Sequence, residues 1–212
     1  MVEQRDIDII LNNPIDWELF RNKTVLVTGA TGRLGMYIVE AINKADIDWN
    51  LNVTILALAR NEKKMQDVFG ESLKLPNIHP IVQDITEPIR WDGPVHYIFH
   101  TAGAASPQDF TNWPVDTLWG HIQGTRNVLE LAREKKAEKI LYVSTVEVYG
   151  EWKSEQGIKE DDMGPMHCDN ARACYPEAKR MCETMLASYE AQYDIPYIGV
   201  RLCHTFGPGI VL

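Results

Sequence analysis

The chain has no CxxC pair, no HExxH motif, no excess of basic residues and no apolar run of membrane-spanning length. Each absence excludes something. The four cysteines, Cys168, Cys174, Cys182 and Cys203, stand singly, which argues against a zinc knuckle and for buried thiols in a reducing cytoplasm. The six histidines are scattered, and no metal site is expected. Lys and Arg number 21 against 30 Asp and Glu, a net charge of −9, so the overall field does not favour nucleic acid. Any anion must be held by a local arrangement of donors. The N-terminus carries Asp6, Asp8 and Asn12 among its apolar residues and does not read as a signal peptide. A soluble cytoplasmic protein with no membrane partner is expected.

What is present is an alternation of strand and helix. The 212 residues suffice for one α/β domain, and a hydrophobic share of 45% suffices for its core. Residues 1–22 read as a helical extension with a turn near Pro14, and residues 23–212 as the domain. Apolar runs predict strands over 24–28, 53–59, 78–82, 95–101, 139–144 and 197–202. Between them, helical spacing predicts helices over 36–44, 61–69, 114–136 and 174–193, and 151–170 reads as a polar excursion. Continuous apolar strands separated by helices specify a doubly wound parallel sheet, a Rossmann-type α/β fold with helices on both faces.

The first strand runs into Gly29-Ala-Thr31-Gly32-Arg33-Leu34-Gly35 and then a helix. Gly29 permits the tight turn, Gly32 allows backbone to approach a pyrophosphate, and Gly35 brings helix onto strand. The free amides of the helix N-terminus complete an anion site. No acidic residue ends the second strand, which reads Ala57-Leu58-Ala59-Arg60. Such an acid would hold the ribose hydroxyls of NAD. Arg33 and Arg60 suit a 2′-phosphate by bidentate pairing, so the cofactor is NAD or NADP with a lean to NADP.

Tyr175 and Lys179 stand four apart at the start of a helical pattern and so share a face. The lysine charge is expected to lower the tyrosine pKa towards the range useful for proton transfer. Thr145, at the end of the fifth strand, is placed to orient a substrate hydroxyl for Tyr175.

These motifs resemble the short-chain dehydrogenase/reductase superfamily of the extended type. The GxxGxxG spacing, Asp84-Ile85 after the third strand and His100-Thr101-Ala102-Gly103 after the fourth are similar to its cofactor-contacting segments. Within it, STVEVYG (144–150), the ASP and GT positions of 105–129, RACYPEAKR (172–180) and RLCHTFGPG (201–209) resemble UDP-glucuronate decarboxylases and dTDP-glucose 4,6-dehydratases. The resemblance implies a nucleotide-sugar epimerase, dehydratase or decarboxylase acting through a transient 4-keto sugar. In that role Thr145, Glu147, Tyr175 and Lys179 are catalytic, and Lys179 also holds the nicotinamide ribose.

Departures from the pattern narrow the reading. Val146 stands where the dehydratases have an acid, which favours epimerisation or decarboxylation and leaves Glu147 as base or sugar-orienting group. His121 and His204 replace asparagines. The resemblance also implies a homodimer through the helices at 114–136 and 174–193, with Trp119, Leu129, Met181 and Met185 as apolar contacts. Family members continue beyond TFGPG for on the order of a hundred residues that cover the sugar. The substrate domain is therefore expected to be largely absent, and the chain to bind dinucleotide with little turnover. The alternatives are an NADP-dependent carbonyl reductase and a catalytically silent dinucleotide-binding module.

Overall fold

The structure, a computed structural model, describes residues 2–151 and 157–205. Strand β1 (Thr24–Thr28) reads TVLVT and is buried along its whole length, as the centre of a sheet covered on both faces requires. With β2 (Thr54–Ala59), β3 (Ile78–Val82), β4 (Tyr97–His100), β5 (Lys139–Thr145) and β6 (Tyr197–Leu202) it forms one sheet. The order is β3-β2-β1-β4-β5-β6, and every neighbouring pair is parallel. The chain winds from β1 to one edge, then returns to β4 and fills the other half. The switch of direction falls between β1 and β4, and ligands of doubly wound sheets bind at the carboxyl ends of the strands there.

Side chains alternate across the sheet as the two-residue period of a strand dictates. Leu26, Leu56, Leu58 and Ile98 join one core cluster, while Val25, Val27, Ile55 and Ala57 join the other. On the first face lie α5 (Pro114–Lys135) and α6 (Cys174–Tyr193), which bury Val128, Leu129, Cys182 and Leu186. On the second lie α2 (Arg33–Trp49) and α3 (Glu62–Phe69), which bury Val39, Ile42, Met65 and Phe69. The extension forms α1 (Gln4–Leu11) and a 3-10 turn, Trp17–Phe20. Ile7 of α1 is buried, Asp6 accepts the Tyr37 hydroxyl at 2.7 Å, and Trp17 stacks on Trp49.

Several boundaries differ from expectation. The helix expected over 36–44 runs from Arg33 to Trp49, because Gly32 caps it directly at the glycine loop and Asn50 ends it in the left-handed region at φ 49°. Apolar spacing saw only its middle. The strand expected over 95–101 keeps only Tyr97–His100, since Thr101 turns away and gives its hydroxyl to the Thr28 carbonyl at 2.7 Å. Pro80 sits inside β3, which is tolerated because β3 is an edge strand. A short helix, α4 (Pro107–Asn112), was not expected at all. The expectation of buried cysteines holds for Cys174 and Cys182, whereas Cys168 and Cys203 are exposed on polar connecting segments. Residues 206–209 of the RLCHTFGPG segment lie outside the described residues.

Candidate active site

The glycine loop sits at the switch point. Gly29 has φ +66°, and a Cβ there would come within 2.8 Å of the Ala102 backbone. Only glycine lets the loop after β1 lie against the segment after β4. A Cβ on Gly35 would stand 2.4 Å from the Gly29 carbonyl oxygen, so α2 packs onto the loop through that gap. No side chain caps α2 at Gly32, and the first amides of a helix have no partner inside it. Thr31 and Leu34 flank this N-terminus, and Arg33 opens α2.

Beside the loop, Thr28 Oγ1 accepts the Ala102 amide at 3.3 Å and meets His100 Nδ1 at 2.8 Å. His100 Nε2 reaches Thr125 Oγ1 at 3.0 Å, which ties β1, β4 and α5 together inside the protein. Burial, reinforced by the charges of Lys179 and His121, pushes His100 down to about 3. His100 is therefore neutral at physiological pH. Gly103 has φ +145°, and a Cβ there would strike the His121 ring at 2.2 Å. His121 Nε2 bonds the Ala104 carbonyl at 2.9 Å, which ties α5 to the segment after β4.

Asp84 accepts from the Thr86 amide at 2.9 Å and the Thr86 hydroxyl at 2.7 Å. These bonds, backbone first, hold its carboxyl below the usual range against its partial burial, and the Arg60 charge adds to them. Arg60 itself is exposed just past β2. The Ile85 carbonyl accepts from Asn127 at 2.9 Å, and the Ile85 side chain lies against Gly124 of α5, where a Cβ would come within 3.0 Å of it.

Thr145 ends β5 next to the switch point, and Tyr175 and Lys179 lie on the buried face of α6. The Thr145 hydroxyl lies close enough to Tyr175 to favour its phenolate form. The lysine charge does not act on Tyr175 as expected. Lys179 Nζ donates to the Val143 carbonyl at 2.8 Å and sits 4.7 Å from the Tyr142 ring centroid, against 5.9 Å from that of Tyr175. The Tyr175 pKa is raised, not lowered. Burial dominates, the Thr145 hydroxyl opposes it, and Glu147 and Arg172 pull in opposite directions. Burial also brings Lys179 down to about 8.

Glu147 lies in the 3-10 turn after β5, its amide bonded to Thr145 Oγ1 at 3.3 Å. Its carboxylate pairs with Arg172 at 2.9 Å, and both line a groove of about 570 Å³ with Asn170, His167 and Pro176. Sequence reasoning missed two neighbours. Phe110 of α4 stacks on Tyr175 at 4.2 Å between centroids, and the Arg172 guanidinium lies 4.7 Å from the Phe110 centroid. The available signal was Ser106-Pro107, a helix-capping residue followed by proline at the first helical position.

His96 and His100 stand four apart, but on an extended strand, where His96 Nδ1 accepts the Thr24 amide. No group of three His, Cys, Asp or Glu that could hold a metal occurs among the described residues. Among the same residues, no helix is long and apolar enough to cross a membrane.

The model of the NAD dependent epimerase/dehydratase family matches residues 25–211. The chain belongs to that family. It is 31% identical over 187 residues to UDP-glucuronic acid decarboxylase 6 of Arabidopsis thaliana, covering 88% of this chain and 52% of that protein. It is also 31% identical over 188 residues to UDP-glucuronic acid decarboxylase 1 of Xenopus tropicalis, covering 88% of this chain and 42% of that one. The chain thus spans about half the length of the curated relatives it matches. Among solved structures it resembles an epimerase of Methanothermobacter thermautotrophicus with a TM-score of 0.75 and 23% identity, over 91% of this chain and 55% of that one. It also resembles the NAD complex of UDP-glucuronic acid 4-epimerase from Bacillus cereus, with a TM-score of 0.64 and 21% identity over 84% and 55% of the two chains. These two likenesses show the fold.

Proposed function

We propose that this protein acts on a nucleotide sugar through a transient 4-keto intermediate, as an epimerase or decarboxylase. The observation that carries the reading is that Thr145, at the carboxyl end of β5, lies beside Tyr175 on the same edge of the sheet from which the uncapped α2 starts behind the glycine loop. The residues present fit a dinucleotide. Gly29 and Gly35 leave a cradle that a Cβ would fill, the α2 N-terminus suits a pyrophosphate, and Asp84 stays ionised to accept hydroxyls or amino groups. When bound, NAD or NADP takes up a hydride and returns it.

In this reading Tyr175 removes the proton of the sugar's 4-hydroxyl, and Thr145 orients that hydroxyl. Lys179 holds a ribose beside them. The resulting ketone acidifies the adjoining carbon, which permits inversion there or loss of carbon dioxide. Val146 brings no acid to the site, so expulsion of a hydroxyl lacks its proton donor. The names of the relatives support a UDP-linked uronic acid or hexose as substrate. Incubation with a panel of nucleotide sugars and either dinucleotide, followed by mass spectrometry of the products, tests this. Interconversion without net cofactor consumption is the expected result. Stoichiometric oxidation of cofactor would sink it, as would no change in any sugar in a catalytically complete form.

The reading extends to a lean towards NADP, a homodimer and the cytoplasm, and it divides the chain between residues 22 and 23. Arg60, exposed and within electrostatic reach of Asp84, supports the first. NADP should bind at least as tightly as NAD by calorimetry. Arg60→Ala should then cost NADP roughly tenfold, the scale of one charge-assisted hydrogen bond, and leave NAD unchanged. A clear NAD preference, indifferent to the substitution, would reverse the lean. For the dimer, Trp119 and Met181 are well exposed on α5 and α6, at 58% and 48%. Leu129 is wholly buried and Met185 packs on the core, so neither is a free interface contact. Light scattering at micromolar concentration should report a two-fold dimer, and Trp119→Glu should give a monomer. A wild-type monomer would refute it. Four unpaired thiols and the family match from residue 25 support the location and the division.

A further inference from the structure

Tyr175 is largely buried, with two rings packed against it. Phe110 stacks on it at 4.2 Å with 15° between planes, and His121 meets it edge-on at 5.4 Å. The other face of Phe110 carries the Arg172 guanidinium at 4.7 Å, since Tyr175 already occupies the first. From there Arg172 Nη2 reaches both oxygens of Glu147, at 2.9 and 3.1 Å. The Glu147 amide in turn bonds Thr145, whose hydroxyl lies beside Tyr175 and acts on it. Arg172, Phe110, Tyr175, Thr145 and Glu147 thus form a ring of neighbours drawn from three separate stretches of chain.

We propose that Arg172 is a positioning residue for Tyr175. Seated on Phe110, it holds the Glu147 carboxylate and cancels its charge next to the phenol. The proposal rests on Tyr175 being the proton-transfer group, and assigns a reason for Arg172 and Phe110 that this role alone does not. Glu147 and Arg172 act on Tyr175 with opposite signs, the carboxylate disfavouring the phenolate and the guanidinium favouring it. Other groups around the phenol leave this pair as the adjustable element. His121 on α5 is kept neutral by burial at about 3, and the buried Tyr142 on β5 stays protonated. The Cys174 thiol is raised by burial, and Lys179 on α6 is committed to the Val143 carbonyl.

The experiment places 3-fluorotyrosine at position 175 of the full chain and follows its fluorine resonance against pH. The label reports on one tyrosine and titrates at a lower pH than tyrosine itself. Arg172→Gln should move the midpoint to higher pH and Glu147→Gln to lower pH. The double variant should fall between them, and Arg172→Lys should stay close to the unsubstituted chain. An Arg172→Gln midpoint that stays in place or falls would overturn the proposal, as would an Arg172→Lys midpoint displaced as far as that of Arg172→Gln. Should Arg172→Gln fail to fold, Glu147→Gln decides alone, and a midpoint unmoved or raised counts against it. The titration uses no sugar or cofactor, so a protein that turns over no nucleotide sugar would defeat the proposed function while leaving this measurement intact.

Discussion

In a catalytically complete form, Tyr175→Phe is expected to lower turnover of the nucleotide sugar identified by product analysis by roughly a hundredfold or more, the usual scale for loss of a general acid–base group. The phenyl ring keeps the Phe110 stack and the His121 edge contact, so the pocket retains its shape. What disappears is the hydroxyl beside Thr145. Dinucleotide affinity should change little, because the glycine loop and the α2 N-terminus are untouched. The pH dependence carries a further signature. Burial raises the Tyr175 pKa, so the phenol is protonated at neutral pH and its base form grows as pH increases. The rate of proton removal should therefore climb with pH on the alkaline side for the natural chain and lose that dependence in Tyr175→Phe. Steady-state kinetics across pH check both points. Intact turnover in the variant would remove Tyr175 from the mechanism.

The contrast between expected and observed behaviour at Tyr175 shows how far the sequence can be read. Local patterns were legible: β1, β3, α6 and β6 lie where apolar spacing places them, β1 buried along its whole length and α6 along one face, while β3 and β6 are the less buried edge strands. The glycine loop was legible because its demands, a positive φ at Gly29 and a missing Cβ at Gly35, are written in residue type. The i, i+4 pairing of Tyr175 with Lys179 was legible as well, since one helix carries both. Its electrostatic outcome was not. A spacing rule gives the charge of Lys179, but not the Val143 carbonyl and Tyr142 ring that claim it, nor the burial that outweighs it.

The partners of Tyr175 were hidden for a related reason. Phe110 reaches it across 65 positions, and Glu147 reaches Arg172 across 25. Nothing periodic links such residues, because the sheet and its crossovers bring them together. α4 is only six residues long, less than two turns, and its apolar content is too small to register as a helical period. The role of His100 was obscured in the same way. In sequence it flanks a cofactor-like segment, and only the fold shows it bridging Thr28 and Thr125 in the interior.

That buried histidine leads to the second large effect, a loss of stability on mild acidification. His100 and His121 both titrate at about 3 in the folded chain, because burial penalises their charged forms and Lys179 repels added charge. In the unfolded chain each would titrate near 6.5. Between those values the unfolded state binds more protons than the folded one, so stability falls as pH falls. It is fully present above about pH 6.5 and continues to drain until about pH 3. Each histidine contributes a slope of up to about 1.4 kcal/mol per pH unit, so the pair contributes about 2.7 kcal/mol per unit in the middle of that window. Against a typical total of about 5–15 kcal/mol, two pH units consume a large part of the reserve. Urea unfolding at pH 7, 6, 5 and 4.5 should show this fall. His121→Asn offers an amide to the Ala104 carbonyl without a titrating ring, and should remove about half of the slope while changing stability at pH 7 much less. A slope unchanged in that variant would mean that the acid sensitivity belongs to groups other than His121.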